Sequence, residues 1–185
     1  MKRYLHTLVL LIVTSSALAA NTRSNYPGGD FENGRGRWNL VEGVKVTPAL
    51  PDEYETHGRQ YLKFTLGDGE PAKVQLEFKI KRPFERIMIK LDMYLSEGTK
   101  FSASRKPPIH FGIRNGSAMG AFLGHRYLLA KDLKEGAWVT VEKEITWDSI
   151  LPASKKSKDP SAVFEIELLQ GEGSVLVDNI EVVCE

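Results

Sequence analysis

The sequence contains a single cysteine, Cys184, so no disulfide can form within the chain and the core must hold by packing alone. Helical periodicity is also missing. No segment sustains an apolar repeat of 3.6 residues, which excludes a helical bundle. Charge of one sign is not in excess. With Lys2 and Arg3 set aside, the 25 basic residues fall to 23 against 24 acidic ones, a net charge of −1. That balance argues against nucleic acid or an anionic membrane as the main partner. Internal repeats, a His-x-x-Glu-His metal spacing and a Gly-x-Ser-x-Gly elbow are all lacking, which removes the metalloprotease and serine-hydrolase readings.

Long apolar runs are lacking too, except at the start. Lys2 and Arg3 precede Leu5 to Val13, apolar apart from His6 and Thr7, and Ala17-Leu18-Ala19-Ala20 follows. The run is too short to span a bilayer and ends in small residues of the A-x-A type. Residues 1–19 therefore read as a signal peptide cleaved after Ala19, and 20–185 as a single exported domain. Its destination is the periplasm, the cell surface or the extracellular space, with no membrane attachment after cleavage. No cysteine sits at the cleavage point to carry a lipid. Oligomeric state is not legible.

What is abundant is alternation. Leu62, Phe64 and Leu66 face one way, with Tyr61, Lys63 and Thr65 opposite. Val74, Leu76, Phe78 and Ile80 alternate with Lys73, Gln75, Glu77 and Lys79. In the longest run Ile87, Ile89, Leu91, Met93 and Leu95 oppose Met88, Lys90, Asp92 and Tyr94. Ile109, Phe111 and Ile113 oppose His110 and Arg114, and Val139, Val141 and Ile145 oppose Trp138, Thr140, Glu142 and Glu144. Near the end, Phe164, Ile166 and Leu168 face the core, and then Leu176, Asp178, Ile180 and Val182 share one face. Glu53 to Arg59 reads as a polar loop carrying Tyr54 and His57, and Ser96 to Pro108 and Asn115 to Gly124 as loops. Period-two segments with Gly and Pro turns between them predict an antiparallel β-sandwich, a jelly roll of about eight or nine strands.

The most concentrated motif is Gly28-Gly29-Asp30-Phe31-Glu32-Asn33-Gly34, followed by Trp38. Its glycines permit positive φ, its Asp, Asn and Glu supply oxygens, and Phe31 and Trp38 are the anchors that bury it. Together with Gly136-Ala137-Trp138-Val139-Thr140-Val141 and the strand Val175-Leu176-Val177-Asp178-Asn179-Ile180, it resembles the galactose-binding-like jelly roll of secreted carbohydrate-binding modules. The resemblance implies a structural calcium near the chain ends. Glu32 and Asp178 would donate carboxylate oxygens, with backbone carbonyls near Gly29 and Asp30 completing the shell, as suits a cation that takes six to eight oxygens. An Asp on an apolar strand face needs a partner; a metal is one, and backbone N–H groups or a lysine are the other.

Sugar sites combine an aromatic plate with fixed polar groups. If the strands that carry them are neighbours, Asp92, Tyr94, His110 and Arg114 gather on one concave sheet, with Trp138 and Tyr61 extending it. The plainer alternative is a solvated face with a tyrosine and a tryptophan packed under a loop. A polysaccharide-cleaving jelly-roll enzyme is the second class. Hydrolysis needs paired carboxylates, and Glu165 with Glu167 or Glu142 with Glu144 share strand faces. Arg114, His110 and Tyr127 imitate a lyase's set, but neither group converges by sequence alone. The third class is a secreted structural or protein-interaction β-sandwich without a sugar site. Non-catalytic binding of a carbohydrate or glycan-like ligand is the expectation.

Overall fold

The computed structural model describes residues 24–25, 29–41, 43–49, 57–69, 71–102, 107–116 and 120–185. The expected leader 1–19 and Tyr54 lie outside the described residues. In chain order the strands are β1 (Ser24–Asn25), β2 (Asn39–Leu40), β3 (Val44–Pro48), β4 (Gln60–Thr65), β5 (Ala72–Lys79) and β6 (Arg86–Leu95). Next come β7 (Lys100–Phe101), β8 (Ile109–Asn115), β9 (Phe122–Leu128) and β10 (Trp138–Thr146). The last three are β11 (Ser161–Leu168), β12 (Gly171–Glu172) and β13 (Ser174–Cys184). Nine of them have five residues or more, in line with the eight or nine expected.

The first sheet runs β10-β6-β13-β4-β3, with β1 added beside the end of β13. The second runs β2-β5-β11-β8-β9, and β7 pairs with β12 in a small ribbon. Every paired strand in both sheets is antiparallel. The inner faces meet in one core in which Phe31, Phe64, Phe111 and Phe164 are fully buried. Trp38 bridges the opening motif to that core, 5.8 Å from Phe31 and 5.7 Å from Phe164 between ring centroids. Among the described residues no helix is long and apolar enough to cross a membrane.

The expected loop from Ser96 to Pro108 carries the short strand β7, paired with β12, and two further expectations change at bulges. The segment after Asn115 is not all loop, because β9 begins at Phe122. Its pairing with β8 slips between Ile113 and Arg114, which hides the alternation by moving later side chains to the other face. The last strand likewise does not keep Leu176, Asp178, Ile180 and Val182 on one side. Its register shifts between Asp178 and Glu181, with Asn179 in the left-handed region at φ 48°. Val175 and Val177 face the core before the bulge, and Ile180, Val182 and Cys184 face it afterwards. Leu176 joins Ala49 and Tyr61 in a separate small cluster outside the first sheet.

Candidate glycan face and acidic clasp

The second sheet presents a grid of polar side chains on its outer face. Strand register sets Gln75 and Gly112 on either side of Glu165, Lys73 and His110 beside Glu167, and Tyr127 opposite His110. His125 stands opposite Gly112, and Phe122 opposite Arg114. Gly112 is required here: a Cβ at its position would lie 2.5 Å from the Gly124 carbonyl oxygen and 2.7 Å from His125 Cα. Arg114, two residues along the same strand, reaches across to Glu165.

That contact anchors the face. Arg114 Nη2 lies 2.7 Å from Glu165 Oε1, and Gln75 Nε2 donates to Glu165 Oε2 at 3.1 Å. Glu165 has no exposed surface. Burial alone would raise its pKa, but the Arg114 and Gln75 contacts and the charges of Arg114 and Lys73 outweigh it, so the carboxyl stays below its usual range. Arg114 also donates from Nη1 to the Gly120 carbonyl at 3.1 Å and sits 3.8 Å over the Phe122 ring. Lys73 pairs with Glu167 at 2.7 Å.

Beside this network stands the exposed ring of Tyr127, half accessible at 50%, with His110 beneath it at 4.9 Å. A cleft of about 420 Å³ opens between Pro107, His110, Arg114, Phe122, Tyr127 and Glu167. A smaller one of about 380 Å³ lies across Arg37, Asn39, Gln75 and Glu77 at the other edge of the same sheet. A larger cleft, about 640 Å³, lies at the rim between Arg37, Lys79, Gly116, Asp159 and Ser161, and carries no exposed aromatic ring.

The residues singled out from the sequence divide between two faces. His110 and Arg114 belong to the second sheet. Asp92, Tyr94 and Trp138 lie on the outer face of the first, with Tyr94 opposite Trp138 in register. Strands β6 and β8 are not neighbours, so the four-residue grouping does not form. Trp138 is stacked on His57 at 3.9 Å and 15°, and packs near Tyr94 at 5.5 Å and Tyr61 at 5.9 Å. Asp92 accepts from the Thr140 hydroxyl at 2.6 Å and from Asn179 Nδ2 at 2.9 Å. These side chains knit the first sheet to His57.

Sequence reasoning missed Glu165, Gln75, Phe122 and His125 as members of the site. The alternation placed Glu165 and Gln75 outward. A recognised strand at β9 would have added His125 and Phe122.

The opening motif clasps the far end of the chain. Gly29 accepts from the Ile180 N–H at 3.0 Å, and a Cβ on Gly29 would fall 2.0 Å from the Ile180 oxygen. Glu32 Oε1 accepts from the N–H groups of Arg59 at 2.5 Å and Gln60 at 3.0 Å. Asp30 is exposed, and its Oδ1 caps the Glu32 N–H at 3.4 Å. Asp178 is 1% exposed, and neither carboxylate oxygen has a hydrogen-bond partner. Burial is the largest influence and pushes its pKa up to about 8; the Asn179 N–H works against it, and the nearby charges of Asp92, Glu32 and Asp30 add to the rise.

A buried, orphaned carboxylate facing other carboxylates fits a hard cation. Among the described residues no three His, Cys, Asp or Glu side chains converge on one ligating point.

No protein-family model matches the chain, and no curated protein does. Solved structures match its fold. A cyclase from Fischerella sp. TAU, solved in complex with a pyrrolidinylidene-indole, aligns with TM-score 0.59 at 15% identity over 89% of this chain and 98% of its own. TmCBM61 in complex with beta-1,4-galactotriose aligns with TM-score 0.53 at 14% identity over 85% and 95%. The enzymatically active domain of tailspike protein 4 from bacteriophage CBA120 gives 0.56 at 10% identity. There the match covers 85% of this chain but spans only 21% of the tailspike chain. Modules of the CBM4 and CBM22 groups match as well.

At these identities the likeness defines fold. The chain is an antiparallel jelly-roll β-sandwich, a fold it shares with carbohydrate-binding modules. The same fold also carries a cyclase.

Proposed function

We propose that this chain is an exported, non-catalytic carbohydrate-binding domain whose ligand lies across the outer face of the second sheet. The observation that carries the reading is the exposed Tyr127 ring set beside a braced polar network in which Arg114 and Gln75 hold the buried Glu165. A sugar ring's C–H face packs on an aromatic plate, while rigid polar groups select its hydroxyls with little ordering cost. The carbohydrate-binding modules among the structural matches support it at the level of fold. Hydrolysis is disfavoured, since Glu165 is held ionised by Arg114, Glu167 is paired with Lys73, and neither is placed to act as a proton donor.

The clasp adds a structural calcium to this reading, held by Glu32 and Asp178 with backbone oxygens near Gly29. Asp30, whose side chain turns to the Glu32 N–H, would contribute its carbonyl at most. Bound there, the ion would supply charge to an otherwise uncompensated carboxylate and tie the first segment to the last strand, far from the cleft's chemistry.

Affinity electrophoresis of the mature chain through gels containing neutral and acidic polysaccharides tests the function. Tyr127→Ala is expected to weaken retention about tenfold or more, the loss of one stacked aromatic. No retention on any polysaccharide, with or without calcium, would leave the interaction-domain reading in its place.

A further inference from the structure

We propose that this cleft is acid-labile: it holds its ligand while His110 is uncharged and releases it when His110 takes up a proton. The inference rests on the reading of the cleft as the glycan site. His110 is 8% exposed and forms part of the floor. Phe122 meets its ring edge-on at 4.7 Å, Tyr127 lies at 4.9 Å and 31°, and His125 at 5.6 Å. Nε2 is buried without a hydrogen-bond partner, so no acceptor waits for the proton that charging would add there. Nδ1 lies 4.0 Å from Glu165 Oε1, beyond hydrogen-bonding distance. A ring in that setting is packed as a neutral imidazole.

The surrounding charges reinforce this. Arg114 faces His110 from its own strand, Glu165 and Glu167 from β11, and His125 with the Tyr127 phenol from β9. Lys73 on β5 and Lys143 near His125 stand behind them. Both carboxylates are already engaged, Glu165 by Arg114 and Gln75, Glu167 by Lys73. A proton on His110 therefore adds a cation beside Arg114 and His125 instead of neutralising an idle carboxylate.

Burial is the largest influence on both imidazoles and lowers both pKa values. At His110 Glu165 offsets it in part; at His125 Lys143 and Arg114 add to it. The sign follows directly. With folded pKa values below the ordinary histidine value, the unfolded chain binds protons that the folded cleft does not, so acidification works against the packed arrangement. A charged His110 must reach water, and it reaches it by leaving the ring cluster. Tyr127 then loses the surface it rests on, and the aromatic plate is lost with it.

One proton linked to binding changes affinity by up to about tenfold per pH unit. The test is affinity electrophoresis of the intact mature chain, in excess calcium, on whichever polysaccharide retains it. Wild-type retention is expected to fall below about pH 6.5, approaching tenfold per pH unit once His110 titrates, and His110→Phe to lose that dependence. In parallel, the NMR ring signals of Tyr127 should move with the midpoint of the His110 imidazole titration. Retention independent of pH in the wild type, Tyr127 signals that stay still through the His110 titration, or global unfolding by circular dichroism in the same range would each overturn the proposal. If no polysaccharide retains the chain at any pH, the glycan reading falls, and the Tyr127 signals alone decide the switch.

Discussion

Glu165 is the side chain on which the polar face depends. It is a fully buried carboxylate held by one guanidinium and one amide, and removing its charge leaves the half-buried Arg114 without its ion-pair partner. Breaking a buried pair from one side costs roughly 3 kcal/mol. Glu165→Gln keeps the shape, and in a chain of this length should lower Tm by about 6–12 °C in a thermal melt. The pH dependence carries a definite sign. A carboxyl whose folded pKa lies below its unfolded value stabilises above the unfolded value and loses that contribution as pH falls through the folded one. The difference in Tm between wild type and Glu165→Gln should therefore shrink in acid. A gap that widens in acid would contradict the buried ion pair. Nothing local in the sequence distinguishes Glu165 from Glu167, since both are alternate polar positions on one strand. The difference arises across strands, where Glu165 faces Gln75 and Gly112 while Glu167 faces Lys73 and His110.

At the scale of the element, the two bulges decide which residues can meet. Side-chain alternation has a period of two, so one extra residue transfers everything beyond it to the opposite face. In β13 this puts Asp178 outside the first sheet's main core while Ile180 turns inward. In the β8–β9 pair it lets Phe122 stand beside Arg114, and His125 and Tyr127 gather with His110. The close approach of the two strands depends on Gly112. Gly112→Ala places a methyl against the Gly124 carbonyl and His125. Overpacking of this kind should destabilise by about 1–3 kcal/mol. It should also displace the His125 ring, read as a changed His125 signal by NMR. A melt and spectrum like the wild type's would show that the strands separate without strain.

For the whole molecule, the clasp between the first segment and the last strand sets how stability responds to metal. A cation bound by the native state alone stabilises it by mass action, so chelator should lower Tm by about 5 °C or more relative to excess calcium. Without a cation, Asp178 carries a carboxyl whose pKa is raised to about 8, so the folded state retains a proton that the unfolded chain releases. Stability in chelator should fall as pH climbs from the ordinary carboxyl range towards that value. Asp178→Asn removes the cost of holding that carboxyl protonated. The variant should be more stable than wild type in chelator at neutral pH and indifferent to calcium. A wild-type Tm that chelator leaves unchanged would remove Glu32 and Asp178 from any metal site.

The sandwich, the burial of Phe31 and Trp38, and the outward stance of Tyr94, His110, Arg114 and Trp138 were determined by the sequence alone. They follow from alternation and local turn chemistry, which act over a few residues and can be read from a single strand. The partition of those residues was decided only in three dimensions. Strand β6 pairs with β10 and β13, whereas β8 pairs with β9 and β11, and no single strand encodes its partners. That pairing leaves Asp92, Tyr94 and Trp138 knitted to His57 on one face. On the other it builds a braced, histidine-bearing cleft. The reason is physical: hydrophobic period sets which side of a strand is buried, but strand order and bulges set which outward side chains become neighbours.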